Sequence, residues 1–137
     1  MALICDTGPL FSALDAADPD HDECAQLLAE TKTDLVVPLL VLAEVDYWCH
    51  KRLTGNAWLV FLEDILAGAY RVEAPTHVDL QRCANLQAGY AHLELGVVDA
   101  SVIALAERLD ETTIASLDHR HFRAVRPAHT SGFTLLP

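Results

Sequence analysis

Five short apolar runs, Ala2–Asp6, Leu35–Val37, Tyr70–Val72, Thr113–Leu117 and Phe133–Leu136, recur along the chain with longer helix-patterned stretches between them. Runs of that length bounded by turn residues read as strands, the first of them buried, and strands alternating with helices imply βαβ units. Such units build a mostly parallel sheet with helices on both faces, so the expected fold class is α/β. A first helix is entered through Gly8-Pro9, since proline is tolerated in a first turn. Asp18-Pro19 opens a second, as N-cap and first helical residue, running to about Lys32. Pro38 ends the second strand and starts a helix through Leu53; Thr54-Gly55 breaks it, and another follows to Gly68. Thr76 and Asp79 form a capping box for a helix reaching about Glu94, which Gly96 stops. Val98–Leu109 is one more helix, and His119–Val125 a helical turn.

A chain of 137 residues with 52% hydrophobic content can bury one sizeable core and is too short for two, so residues 1–137 are expected to be a single domain. No apolar run approaches the roughly 20 residues that span a bilayer, and Met1–Ile4 is too short for a signal-peptide core. A soluble, cytoplasmic protein with no membrane association is the expectation. The four cysteines, Cys5, Cys24, Cys49 and Cys83, show no C-x-x-C pair or zinc-like spacing and read as reduced packing residues. The net charge of −11 provides no general electrostatic footprint for nucleic acid, so any such partner would need a local reversal of sign.

Within this pattern the acids stand at particular places. Asp6 follows the first strand in Asp6-Thr7-Gly8, the triplet that also marks aspartic-protease loops. Those enzymes are nearly all β and need two such loops; this chain has one loop and at least five helices. A haloacid-dehalogenase-type phosphatase would want a second aspartate where Gly8 stands. A phospho-receiver would want a lysine ending its last strand, yet the lysines are Lys32 and Lys51. In open α/β sheets, sites form at the carboxyl ends of strands, and Asp118 ends the fourth as Asp6 ends the first. If those strands are adjacent, their carboxylates meet. Glu44 has Leu40, Val41, Tyr47 and Trp48 at its three- and four-residue neighbours, an apolar and aromatic face on which a merely solvated carboxylate is out of place. Asp99 repeats the pattern among Leu95, Val102 and Ile103, with a first-turn aspartate favoured by the helix dipole as the structural alternative. Asp46 points to another side of its helix.

Four carboxylates at low-dielectric positions need a positive charge among them, and oxygen ligation without histidine or cysteine selects Mg²⁺, with Mn²⁺ possible, over zinc. The chemistry this favours is phosphodiester hydrolysis by an activated water. Two basic clusters flank the acids and are candidate RNA contacts: Arg120, Arg123 and Arg126 after Asp118, and Lys51 and Arg52 at the end of the Glu44 helix. Trp48 and Trp58, near Leu59, Phe61 and Leu62, are core candidates or the tips of a hydrophobic groove for a partner helix.

Asp6-Thr7, Glu44 in P-x-x-x-x-x-E, Asp99-Ala100-Ser101-Val102-Ile103-Ala104-Leu105-Ala106, and Ser116-x-Asp118-x-x-His121-Phe122 occur in that order, and together they resemble a PIN domain of the VapC toxin type over almost the whole chain. The resemblance implies a three-layer α/β/α sandwich, a homodimer, and a Mg²⁺- or Mn²⁺-dependent endoribonuclease acting on structured RNA such as tRNA or rRNA. It also implies a VapB-type antitoxin whose C-terminal segment covers the site, with an arginine reaching the carboxylates. Asp6, Glu44, Asp99 and Asp118 fall on the family's acidic, catalytic positions, with Asp6, Asp99 and Asp118 expected to hold the metal and Thr7 and Ser116 to support them. Gly8 departs from the family, where a polar side chain often follows Asp-Thr. The alternative is a PIN-like module that binds RNA or a protein without cleaving.

Overall fold

A computed structural model describes all 137 residues, Met1–Pro137. The strands are β1 (Ala2–Cys5), β2 (Asp34–Pro38), β3 (Arg71–Glu73), β4 (Thr113–Ala115) and β5 (Thr134–Leu136). They form one sheet in the order β3-β2-β1-β4-β5, parallel throughout. The helices are α1 (Thr7–Leu14), α2 (His21–Glu30), α3 (Leu39–Arg52), α4 (Gly55–Leu66), α5 (His77–Gly89), α6 (Val97–Leu109) and α7 (His119–Ala124). They give the α/β/α layering that the alternating runs imply, with α5 packed on α6, α1 on α2 and α3, and α3 on α4. β1 lies between β2 and β4, in register Ile4↔Val36 and Ile4↔Ile114, so the first and fourth strands are neighbours as the site requires.

The core is one cluster of 26 buried residues centred on β1, β2 and α6. All four residues of β1 are buried, as a central parallel strand covered on both faces must be. Ala100 to Ala106 of α6 are buried without interruption, so this stretch of the helix is covered on every side. Each fully buried Ile or Val contributes about 1.5–3 kcal/mol of transfer free energy. The four cysteines are free and buried, in keeping with packing roles.

Two helix boundaries differ from the sequence reading. Helix α2 begins at His21 with Asp20 as N-cap, not at Asp18-Pro19. The Asp18 carboxylate instead accepts the Asp20 N–H at 2.8 Å and its carbonyl accepts from His21 at 3.0 Å, so this pair builds a turn ahead of the helix. Gly96 does not stop α5; it is the N-cap of α6. Helix α5 ends at Gly89, a short 3₁₀ turn follows over Ala91–Leu93, and Glu94 takes the left-handed conformation (φ 52°) that reverses the chain. The Thr76–Asp79 capping box is present in both directions, at 3.1 and 2.9 Å.

Candidate active site

Adjacency of β1 and β4 brings two strand ends to one point. The Asp6 N–H donates to the Ala115 carbonyl at 2.9 Å, and the Ser116 N–H to the Leu136 carbonyl at 2.9 Å, so the ladder persists to the rim. Ser116, fully buried, donates its hydroxyl to Asp6 Oδ2 at 2.9 Å and accepts the Asp118 N–H at 3.1 Å. One side chain therefore fixes Asp6 against the backbone that carries Asp118. Thr7 donates its hydroxyl to Glu44 Oε1 at 2.5 Å, joining the first turn of α1 to α3, which leaves the strand next to β1. Asp99 enters from the first turn of α6. The carboxylates of Asp6, Glu44, Asp99 and Asp118 all line one open cavity of about 500 Å³.

Asp6 is 6% exposed and its carboxyl is pushed up to about 7, first by burial and then by repulsion from Asp99. The Thr7 backbone N–H and the Ser116 hydroxyl oppose that rise. Asp99 is also raised by burial, against the pull of His121. His121 Nδ1 lies 2.8 Å from Asp99 Oδ2 and Nε2 lies 2.9 Å from the Leu93 carbonyl. Both nitrogens are taken up by oxygen partners, and the hydrogen bond to Asp99 raises the histidine.

The site therefore has a deficit of positive charge that a divalent cation would fill. Asp99, Asp118 and His121 bring candidate ligand atoms within 4.8 Å of one another, with the buried Asp6 in the same cavity. His121 spends Nδ1 on Asp99 and Nε2 on the Leu93 carbonyl, so the donors left free are carboxylate oxygens, which suit Mg²⁺ or Mn²⁺.

All four acids expected from the sequence come together, as do Thr7 and Ser116. The Asp118 side chain, however, is 55% exposed, so it is not a low-dielectric carboxylate. The premise that histidine is absent from the constellation is corrected by His121, whose signal was its place three residues after Asp118 in the same helical turn. Asp18 also lines the cavity and was hidden by its reading as a helix cap. Among the basic candidates Arg52 lines the cavity, Lys51 sits over the Tyr47 ring, and Arg120, Arg123 and Arg126 are exposed elsewhere. Trp48 is half-buried on the cavity wall, and Trp58 stacks on Phe61 (6.0 Å, 28°) outside the cavity lining. Asp46 faces away and pairs with His50.

The PIN domain family model matches residues 3–127. Ribonuclease VapC26 of Mycobacterium tuberculosis is 33% identical over 135 residues, 98% of this chain and 100% of that protein. Among solved structures, VapC20 of Mycobacterium tuberculosis, described as a sarcin–ricin loop cleaving toxin, superposes with a TM-score of 0.83 at 19% identity, covering 94% of this chain and 98% of its own. FitAcB from Neisseria gonorrhoeae superposes with a TM-score of 0.71 at 16% identity, covering 100% and 97%.

Proposed function

Since the chain belongs to the PIN-domain family and is of its VapC type, we propose that it is the toxin of a VapBC-type pair, an endoribonuclease that hydrolyses phosphodiester bonds with Mg²⁺ or Mn²⁺. The observation that carries this reading is the convergence of Asp6, Glu44, Asp99 and Asp118 on one cavity, where burial and then Asp99 push the Asp6 carboxyl up to about 7. The relative named a ribonuclease supports the activity.

In this reading Asp6, Asp99 and Asp118 hold the cation. Once bound, it supplies Lewis acidity, lowering the pKa of a water and stabilising charge on the leaving oxygen. Glu44, fixed by Thr7, orients the attacking water and accepts its proton. Ser116 keeps Asp6 and the Asp118 backbone at a set separation, and His121 aims Asp99. No protein nucleophile is needed. The acidic surface disfavours bulk affinity for nucleic acid, which supports a substrate chosen by loop shape, a structured tRNA or rRNA.

The same reading makes residues 1–137 one PIN domain, supported by its single core. It also makes the protein a cytoplasmic homodimer; no helix is long and apolar enough to cross a membrane. A VapB-type antitoxin is the expected inhibitor, in keeping with the toxin–antitoxin complexes among the structural neighbours. An antitoxin arginine in the carboxylate cavity fits the charge found there.

The test is cleavage of total cellular RNA and of a sarcin–ricin loop hairpin by antitoxin-free protein, with Mg²⁺, Mn²⁺ or EDTA and with Asp6→Asn in parallel. Discrete metal-dependent fragments that the variant fails to produce are expected. Absence of cleavage by folded protein with either metal would overturn the nuclease and leave a binding module.

A further inference from the structure

Glu44, Trp48 and Arg52 are spaced by four residues on α3 and form one stripe, about 12 Å long over eight residue steps, that runs from the catalytic acids to the rim. All three line the acidic cavity. Five carboxylates line it, those of Asp6, Asp18, Glu44, Asp99 and Asp118, and Arg52 is the sole cationic lysine or arginine among its lining residues. Its neighbours in the last turn are engaged locally, His50 with Asp46 and Lys51 with the Tyr47 hydroxyl. Arg71, Arg82 and Arg108 are committed to acid partners. Arg52 has no ion-pair partner. Its guanidinium lies over the Trp48 ring, 4.9 Å from the centroid. Stacking on an indole orients the guanidinium plane and leaves its N–H edge unused, the arrangement that best accepts a phosphate. A polyanion entering this cavity meets five like charges and one such donor.

We propose that Arg52, held by Trp48, positions the RNA backbone, binding a phosphate that flanks the cleaved bond. The inference rests on the nuclease reading above and names a positioning residue within it. Trp48 acts through Arg52, as a platform.

The experiment measures cleavage kinetics on an RNA hairpin with Mg²⁺ and, with Ca²⁺ in place of Mg²⁺, the affinity of the same labelled hairpin by anisotropy across a salt series. Arg52→Gln should raise KM about tenfold with kcat nearly unchanged, as expected for loss of one charged hydrogen-bonded contact. The slope of log affinity against log salt should fall by about 0.7, one single-strand phosphate contact. Arg52→Lys, which keeps the charge, should restore the slope, while thermal stability stays at the wild-type value in both. Trp48→Leu should reproduce the KM effect, and the double variant Trp48→Leu/Arg52→Gln should be no worse than Arg52→Gln alone. If Trp48→Leu fails to fold, Trp48→Phe retains an aromatic face and should fall between wild type and Arg52→Gln. Unchanged KM and slope in Arg52→Gln would overturn the inference while wild-type cleavage still upholds the nuclease. Arg52-dependent RNA binding without any cleavage would remove the nuclease and, with it, the placement of Arg52 beside a cleaved bond, leaving Arg52 as an RNA contact only. A defect confined to antitoxin binding would assign the pair to protein recognition and overturn it.

Discussion

Replacing Asp6 by asparagine should stabilise the metal-free protein at alkaline pH while abolishing cleavage. In the unfolded chain this carboxyl ionises near 3.8; in the folded protein burial and Asp99 hold its proton to about 7. Across that window the folded state binds more protons than the unfolded state, so stability is greatest below about pH 4 and is lost as pH rises to 7. The gap between 3.8 and about 7, at about 1.4 kcal/mol per tenfold, amounts to about 4 kcal/mol. This is an upper limit, because buffer cations and water enter an open cavity. Asparagine keeps an oxygen for the Ser116 hydroxyl but carries no charge. At pH 8 in EDTA its melting temperature should therefore exceed that of the wild type by on the order of 10 °C, with the difference narrowing steadily towards pH 4. Adding Mg²⁺ at pH 8 should raise the wild-type melting temperature and leave the variant's almost unchanged, because the cation supplies the missing counter-charge only where the carboxylate remains. Scanning fluorimetry across pH, with and without metal, reads all three. An Asp6→Asn protein no more stable than wild type at pH 8 in EDTA, or more stable by the same amount at every pH, would refute the reasoning.

Three further outcomes follow from the same geometry. Ser116→Ala removes the hydroxyl between Asp6 and the Asp118 backbone and should cost about 1–3 kcal/mol in urea unfolding, with cleavage falling further than stability explains. Gly8→Ala would place a methyl 3.2 Å from Leu117 Cβ, so the residue before Asp118 must shift; about 1 kcal/mol of destabilisation and a clear loss of cleavage are expected, and normal cleavage would deny that Leu117 seats Asp118. His121→Phe leaves Asp99 without its donor and should weaken metal affinity about 10–100-fold, read as a shift of the Mg²⁺ concentration needed to raise the melting temperature.

The acids were legible because each broke a local rule. Asp6 and Asp118 ended strand-like runs, and Glu44 and Asp99 sat among apolar helix neighbours, which marked them as candidates; that they meet depends on the adjacency of β1 and β4, which the alternating pattern left open. Gly8 read as a departure, a lost polar side chain; in the fold the space beside it is filled by Leu117. What the sequence concealed depends on tertiary contact. His121 matters because α7 packs against the 3₁₀ turn at Leu93, a distance of 28 residues in sequence. Asp18-Pro19 has a helix-start signature, yet the chain turns there, with the Asp18 carboxylate on the Asp20 N–H and the residue on the cavity wall. Gly96 suits a helix end and a helix start equally well, and only Glu94 in its left-handed conformation decides which. Of the two basic runs only Arg52 reaches the cavity lining; Arg120, Arg123 and Arg126 follow Asp118 in sequence and are exposed outside it, which position in the chain alone does not distinguish.

The strand order has a consequence for the timing of activity during synthesis. β4 inserts between β1 and β5, and it is β4 that carries Ser116 to Asp6. A nascent chain that has emerged only as far as Leu109 holds Asp6, Glu44 and Asp99, but β1 is still an open edge and Asp6 lacks the hydroxyl that orients it. No fragment ending before Thr113 can assemble the four acids, however well its helices form. In the proposed reading, activity and any antitoxin contact at the four acids therefore come late in synthesis, after β4 has paired with β1.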